Sequence, residues 1–491
     1  MTQAAVTTET VLNYIAGKWV SAQSDETITI TSPMNKDEVV GTIQASRQED
    51  IEAAGEAARQ ALPEWRRMSP VARGDILRKA ADLMEERADE IASLATREMG
   101  KRLVETKGEV LRGAAILRYY AQEGMRKIGE VLPSANKDNL FYSLRVPVGV
   151  VGVISPWNFP VAIPIWKIAP ALIYGNTVVF KPATETGVTA AKLVEVFEQA
   201  GLPAGVLNFI TGKGSVIGDA IVEQSGIDAL TFTGSNAVGK HIASKAVERG
   251  IKYQLELGGK NPVIVLRDAD LDLAARLTVD GAMKQTGQRC TATSRVYVER
   301  PVYEQFKENV LKYVKQTIVG NGLNEDVTMG PLASKSQYET VLSYIESGKE
   351  EGATLLYGGN ALTEGEFANG YYVEPAVFDN VTHDMKIAKE EIFGPVLCMM
   401  VVDSYEEALR YANDTIYGLS ASLFTRDIAT CLDFVQNSEA GMVQVNGETG
   451  GAEPQAPFGG LKASSSGTRE QGQAAVEFFT TYKTIAITPT K

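Results

Sequence analysis

The order of apolar runs predicts an α/β protein built around mostly parallel sheets. Two observations carry that expectation. From Val146 onward, short apolar segments alternate with stretches of helical periodicity, and a second alternation of the same kind starts near Asn261. Strands covered by helices on both faces bury every side chain, so they read as continuous apolar runs. The chain's 491 residues suffice for two large domains, or one large unit with insertions, each with its own core.

The elements follow in order. Asn13 to Val20 and Thr27 to Thr31 predict short opening strands. Residues 49 to 130 predict helices: Ile51, Ala54, Ala58 and Leu62 fall at helical spacing before Pro63. Ile76, Leu77, Ala80, Leu83 and Met84 form a second stripe, and Leu111, Ala115, Leu117 and Tyr120 a further one. The first sheet is expected from Val148–Ile154, Thr177–Lys181, Val206–Ile210 and Ala229–Thr233, with a helix from about Ala190 to Ala200. The second is expected from Asn261–Leu266, Ser294–Val298, Val396–Val402, Leu419–Phe424 and Gly441–Asn446. Lys483–Thr488 alternates like a strand, and a terminal strand needs a partner sheet within the chain or on another subunit.

Composition narrows the function. Apolar residues make up 44% and charged residues 22%, ordinary for a soluble globular protein. A formal net charge of −13 disfavours nucleic acid and acidic membrane surfaces, so a small-molecule partner is expected. Cys290, Cys398 and Cys431 form neither a disulfide framework nor a zinc spacing, and the only histidines are His241 and His383, so no metal is expected. The amino terminus lacks a basic run followed by an apolar core, and the apolar stretches are broken short of a membrane span. A cytoplasmic location is the expectation.

Two glycine-rich loops compete for a phosphate. Thr211–Gly218 has one residue too many before its third glycine for the dinucleotide fingerprint. Phe232–Gly239 lies between a sharp strand signal and a helix. There Gly234 permits close backbone approach, Ser235 offers a hydroxyl, and the helix start offers amides. It is preferred, although an ordinary strand-to-helix turn would look the same. Lys181, at a strand end, fits a ribose or phosphate contact as well as it fits a solvated lysine.

The chemistry centres on Cys290, in Gln288-Arg289-Cys290-Thr291. A lone cysteine is usually a small buried hydrophobe. This one sits in a polar, turn-like stretch beside Arg289, which would favour a thiolate. With so little histidine, the candidate base is Glu256, whose apolar neighbours Leu255 and Leu257 would raise its pKa. A surface glutamate at a strand end is the alternative. Asn158, in Ser155-Pro156-Trp157-Asn158-Phe159-Pro160, is either an oxyanion donor or a turn former. Glu391-Ile392-Phe393-Gly394-Pro395 adds a carboxylate and a ring ahead of a strand.

Together these segments resemble the NAD(P)-dependent aldehyde dehydrogenase superfamily over essentially the whole chain. The matching motifs are Pro156–Pro160, Phe232–Ser235, Glu256–Lys260, Gly287–Cys290, Glu391–Pro395 and Pro457–Gly460. The resemblance implies Cys290 as nucleophile, Glu256 as general base, and Asn158 with the Cys290 backbone N–H as oxyanion hole. It implies Ser155, Trp157, Lys181, Thr184, Gly234 and Ser235 as cofactor contacts, Glu391 on the nicotinamide ribose and Phe393 beside the nicotinamide. The implied fold has a Rossmann-like cofactor domain (1–126 and 146–256) and an α/β catalytic domain (257–466). A small β oligomerisation element (127–145 and 467–491) would make a homodimer or homotetramer.

Two departures bear on specificity. Many NAD-preferring members carry glutamate where this chain has Thr184, so NADP is expected to be accepted or preferred beside NAD. The stretch Lys462–Glu470 is one residue longer than the frequent family form. Ile116–Tyr120, Ile163–Lys167, Cys290–Arg295 and Gln455–Gly460 are similar to the bacterial 2,5-dioxopentanoate (α-ketoglutaric semialdehyde) dehydrogenases. Arg289 would then bind the distal carboxylate of such a substrate, unless it only tunes the thiolate or pairs within the protein. The alternatives are succinic or glutaric semialdehyde or a broad range of aldehydes, acyl transfer to coenzyme A, or a non-catalytic protein of the same fold.

Overall fold

The computed structural model describes residues 10–224 and 226–490. The first residues, weighed above against a secretory signal, lie outside the described residues. Four helices open the main body: α1 (Gln48–Arg67), α2 (Pro70–Glu86), α3 (Ala88–Met99) and α4 (Leu103–Glu123). Helix α1 carries on through Pro63. A proline inside a helix costs about 3 kcal/mol. Burial of Leu62 and Trp65 on either side of it offsets that cost, at roughly 1.5–3 kcal/mol for each large apolar side chain.

The chain begins the parallel part of an eight-stranded sheet at Val150–Ile154 and adds Thr177–Lys181 and Leu207–Phe209 on one side. It then crosses back to add Ala229–Thr233 and Lys252–Glu256 on the other side, all of these neighbours parallel. Strand order therefore reverses between Val150–Ile154 and Ala229–Thr233. Such a reversal leaves a crevice beyond the carboxyl ends of the two strands. Asn13–Ile15 and Lys18–Val20 close one edge antiparallel, and Ser465–Ser466 closes the other against Lys252–Glu256. Helices α5 (Ala162–Ile173), α6 (Gly187–Gln199), α7 (Gly214–Glu223) and α8 (Asn236–Arg249) connect these strands. Helix α6 starts before the expected Ala190 because the Glu98 carboxylate accepts the Val188 and Thr189 amides, both at 2.8 Å.

A second sheet has the order Thr354–Gly358, Ala376–Asp379, Val396–Val402, Thr293–Glu299, Asn261–Val265, Ser420–Phe424, Met442–Val445. Every pairing in it is parallel except that of the first strand. The first two strands were not expected from apolar runs. Thr354–Gly358 is a half-exposed edge strand, and Ala376–Asp379 has only 4 residues. A third sheet joins Gly129–Val131, Leu140–Pro147 and Thr480–Ile487. The terminal strand thus finds its partner within the chain, while Val131, Leu140, Tyr482 and Ile487 stay exposed. Among the described residues no helix is long and apolar enough to cross a membrane, and no cluster of three His, Cys, Asp or Glu could hold a metal.

Candidate active site

Ser155–Asn158 leave the carboxyl end of Val150–Ile154, and Gly234 and Ser235 leave that of Ala229–Thr233. Both loops therefore open into the crevice at the strand-order reversal. A cleft of about 260 Å³ lies there, and its walls include Trp157, Asn158, Gly234, Ser235, Cys290, Glu391 and Phe393.

Cys290 is presented by a strained turn. Gln285 and Thr286 hold φ of 54° and 58°, and Gly287 follows at 66°. Consecutive non-glycine residues in the left-handed region are costly and persist only where the surroundings hold them. The surroundings do so. Thr286 Oγ1 donates to the Gly330 carbonyl at 3.0 Å, and Gln288 Oε1 accepts the Ala333 amide at 2.9 Å. Asn261 Nδ2 donates to the carbonyls of Cys290 and Ala292, both at 2.8 Å. A Cβ on Gly287 would run into the Gly394 carbonyl, which accounts for glycine there. Asn158 Nδ2 donates one N–H to the Gln288 carbonyl at 3.1 Å, leaving its second N–H for a ligand.

Burial pushes the Cys290 thiol up to about 12; Glu391 and Glu256 add to the effect and Arg289 opposes it. Glu256 ends the strand Lys252–Glu256 and is 2% exposed. Ser465 Oγ donates to its Oε2 at 2.6 Å, while Oε1 is enclosed without a partner. Burial first, then Glu470, hold this carboxyl well above the usual carboxylate range, against the Ser465 bond and the charges of Lys167 and Arg469. Glu470 is itself ion-paired with Lys167 in the interior, and Thr231 bonds both. A buried carboxyl with one bare oxygen, close enough to influence a cysteine, is equipped to take a proton from water.

Groups in the cleft and beside it suit a dinucleotide; Ser155, Lys181 and Thr184 do not line the cleft itself. Ser155 Oγ and Thr233 Oγ1 are enclosed without partners. Ser235 caps α8, its Oγ accepting the Val238 amide at 3.5 Å, so the helix start faces the crevice side of the sheet. A Cβ on Gly234 would lie 2.5 Å from Phe232 Cζ, so only glycine lets the backbone take this path. Lys181 Nζ donates to the Pro182 carbonyl at 2.8 Å, and burial lowers its pKa to about 8, against Glu185. Thr184 Oγ1 donates to the Gly212 carbonyl at 3.2 Å, and a Cβ on Gly214 would lie 3.8 Å from Lys181 Nζ. The loop 211–218, ranked second by its spacing, therefore sits beside Lys181 and Thr184. Unpartnered hydroxyls, a bare glycine, a helix start and a lysine are groups that meet phosphates and riboses, so these residues fit NAD(P).

Glu391 Oε1 accepts the Gly259 amide at 2.9 Å, and burial raises its pKa to about 7 against that bond and the Lys260 charge. A Cβ on Gly258 would collide with this carboxylate. Phe393 holds φ of 58° and meets Trp157 edge-on at 5.4 Å between ring centroids. Gln337 Nε2 fixes that strained residue by donating to the Ile392 and Phe393 carbonyls at 3.1 and 2.9 Å. Arg289 stands apart. Its Nη2 donates to the Gly281 carbonyl at 2.7 Å and lies 3.7 Å from Glu448, so protein groups already engage it.

Asn261 and Gln337 were not foreseen as parts of the site. Asn261 left a faint trace, a polar residue opening an otherwise apolar strand directly after Gly258-Gly259-Lys260. Gln337 lies on the helix Lys335–Glu350 and left none.

Known proteins are similar to this chain in sequence and fold. The aldehyde dehydrogenase family matches residues 19–485. The α-ketoglutaric semialdehyde dehydrogenase of Bacillus subtilis (strain 168) is 58% identical over 98% of each chain. The 2,5-dioxopentanoate dehydrogenase of Saccharolobus solfataricus is 45% identical over 96% of this chain and 98% of its own. Among solved structures, a Staphylococcus aureus betaine aldehyde dehydrogenase in complex with NAD+ superposes with a TM-score of 0.94 at 35% identity, covering 97% of this chain and 96% of that one. An NAD-dependent aldehyde dehydrogenase of Sinorhizobium meliloti gives 0.95 at 36% identity, over 98% and 95%. With its length matched almost throughout and these motifs gathered at one cleft, the chain belongs to the aldehyde dehydrogenase family.

Proposed function

We propose that this NAD(P)-dependent aldehyde dehydrogenase oxidises 2,5-dioxopentanoate, with NADP accepted or preferred, and hydrolyses the resulting thioester. Cys290 passes its thiol proton to solvent water, and the thiolate attacks the aldehyde carbon, the carbonyl π pair moving onto oxygen as the carbon–sulfur bond forms. The free N–H of Asn158 and the Cys290 amide stabilise the oxyanion. A nicotinamide held here would supply the hydride acceptor, and Cys290 would then carry the acyl group as a thioester. Glu256 then takes a proton from water, and the hydroxide displaces Cys290 to release the acid. Lys181, Thr184, Ser155, Gly234 and Ser235 would hold the cofactor's adenosine and phosphate portion. Glu391 would hold the nicotinamide ribose, with Phe393 and Trp157 bounding the ring.

The observation that carries the hydrolytic reading is the bare Oε1 of buried Glu256. Acyl transfer to coenzyme A would need no such base. Thr184 supports NADP use, because its position carries no carboxylate to repel a 2′-phosphate. The substrate reading is supported by the two relatives whose names specify this semialdehyde. The eight-stranded sheet, the seven-stranded sheet and the sheet holding Thr480–Ile487 are proposed to divide the work as cofactor, catalytic and oligomerisation units. The exposed apolar residues of the third favour a homodimer or homotetramer. We place the enzyme in the cytoplasm.

Initial rates with 2,5-dioxopentanoate, succinic and glutaric semialdehydes and simple aldehydes, against both NAD and NADP and without coenzyme A, test this reading. The highest kcat/KM is expected for 2,5-dioxopentanoate, with free acid as product. Acid formation that requires coenzyme A, or a higher kcat/KM on a simple aldehyde, would overturn it. Asn158→Ala should lower kcat by about 10²–10³-fold, roughly 2.7–4 kcal/mol, with cofactor affinity kept. Near-normal kcat in that variant would remove Asn158 from the oxyanion site.

A further inference from the structure

Arg112 lies near the middle of α4 and is half-buried. Its Nε is enclosed without a partner, and among the described residues no hydrogen bond or ion pair reaches this guanidinium. Arg87, Arg102 and Arg289 also keep one enclosed nitrogen without a partner, but each makes at least one hydrogen bond elsewhere. Arg73 donates to the carbonyls of Ile173, Trp65 and Met68, and Arg295 to those of Lys260 and Ala412. The carboxylate one turn away cannot serve Arg112. Glu109 Oε1 accepts the Val161 and Ala162 amides at 2.8 and 2.9 Å, and its Oε2 accepts Lys101 Nζ at 2.6 Å.

Arg112 does not itself line the cleft, but the elements around it lead there. At the following residue, Gly113, α4 comes so close to α5 that a Cβ would lie 3.3 Å from Val161 Cγ1. Helix α5 begins four residues after Asn158 and carries Ile163, which lines the cleft with Cys290. Burial lowers the Arg112 pKa, with Glu109 and Glu453 the opposing charges it feels. Glu453 belongs to the loop 446–460. The same loop carries Thr449, whose Oγ1 donates to the Thr291 carbonyl at 2.7 Å, directly after the nucleophile. Phe159, Cys290 and Ala452 pack against one apolar cluster that includes Ile163 and Val161. Arg112 therefore stands where α4, the start of α5 and the loop beside Cys290 meet.

An unpaired, partly desolvated guanidinium at the margin of an aldehyde cleft lacks an anion. Given the reading of the substrate as a carboxylated aldehyde, on which this inference rests, we infer that Arg112 binds the substrate's distal carboxylate and sets specificity. Its fork of donors suits a bidentate carboxylate. Arg289, expected to do this from its place beside the nucleophile, is already engaged by Gly281 and Glu448.

The test is the ratio of kcat/KM on 2,5-dioxopentanoate to that on pentanal, an uncharged aldehyde of the same carbon count, measured with full-length enzyme. Arg112→Met should lower the ratio on the order of a hundredfold, mainly through KM for the carboxylated substrate. Arg112→Lys should restore part of it, and Arg289→Met should leave it high. If Arg112→Met lowers both substrates equally, the ratio stays and the residue is only structural, which overturns the inference. A ratio that collapses in Arg289→Met and not in Arg112→Met overturns it as well. A wild-type ratio near one would instead overturn the substrate reading, and the inference with it.

Discussion

Cys290→Ser is expected to bind NAD(P) with unchanged affinity and to lose aldehyde oxidation by roughly 10⁴-fold or more. The loss follows from two properties of the site. A hydroxyl is a far weaker nucleophile than a thiol, and no histidine lines the cleft to activate it: His241 pairs with Asp219 at the surface, and the largely covered His383 pairs with Asp414. The loop geometry should survive, because the bonds that hold it run to the Cys290 carbonyl and to Gln288, not to the sulfur. Cofactor titration and steady-state rates measured on one preparation separate the two outcomes. Turnover close to wild type would remove Cys290 from the chemistry.

Glu256→Gln should divide the reaction in two. Amide for carboxyl keeps the Ser465 contact and the packing but removes the base. Stopped-flow mixing with aldehyde and cofactor should then give a burst of reduced cofactor near one equivalent per site. Slow turnover should follow, lower by roughly 10²–10⁴-fold. In the wild-type enzyme the hydrolytic step should speed up as pH rises, because burial raises the Glu256 pKa and only its deprotonated form accepts the water proton. That dependence should vanish in Glu256→Gln. A variant that loses the burst along with turnover would move Glu256 out of deacylation and into an earlier step.

Much of this site was legible because its groups sit at strand ends, where the run of apolar residues stops abruptly. Ser155–Asn158, Lys181 and Gly234 mark such ends, and the parallel-sheet rule places those ends together, whereas Glu256 ends the strand Lys252–Glu256, which no apolar run announces. What stayed hidden depends on contacts between distant segments. Asn261 matters because its amide reaches the carbonyls of Cys290 and Ala292, and Gln337 because it holds Phe393 in a strained conformation. The left-handed run at Gln285 and Thr286 has no local signature either, since neither residue favours that region. The fold showed the same division. Most buried strands announced themselves as apolar runs, whereas the four-residue Ala376–Asp379 and the half-exposed edge strand Thr354–Gly358 did not. Arg289 illustrates the limit of adjacency: next to Cys290 in the chain, its guanidinium is engaged by Gly281 and Glu448.

The central claim is that the acyl group resides on Cys290 until Glu256 activates water. Glu256→Gln enzyme, mixed with 2,5-dioxopentanoate and NADP, quenched in acid and digested, should yield a peptide with the acyl mass on Cys290. The label should disappear in the Cys290→Ser, Glu256→Gln double variant. Full reduction of cofactor with no acyl mass on Cys290, or with the mass on another residue, would contradict the account.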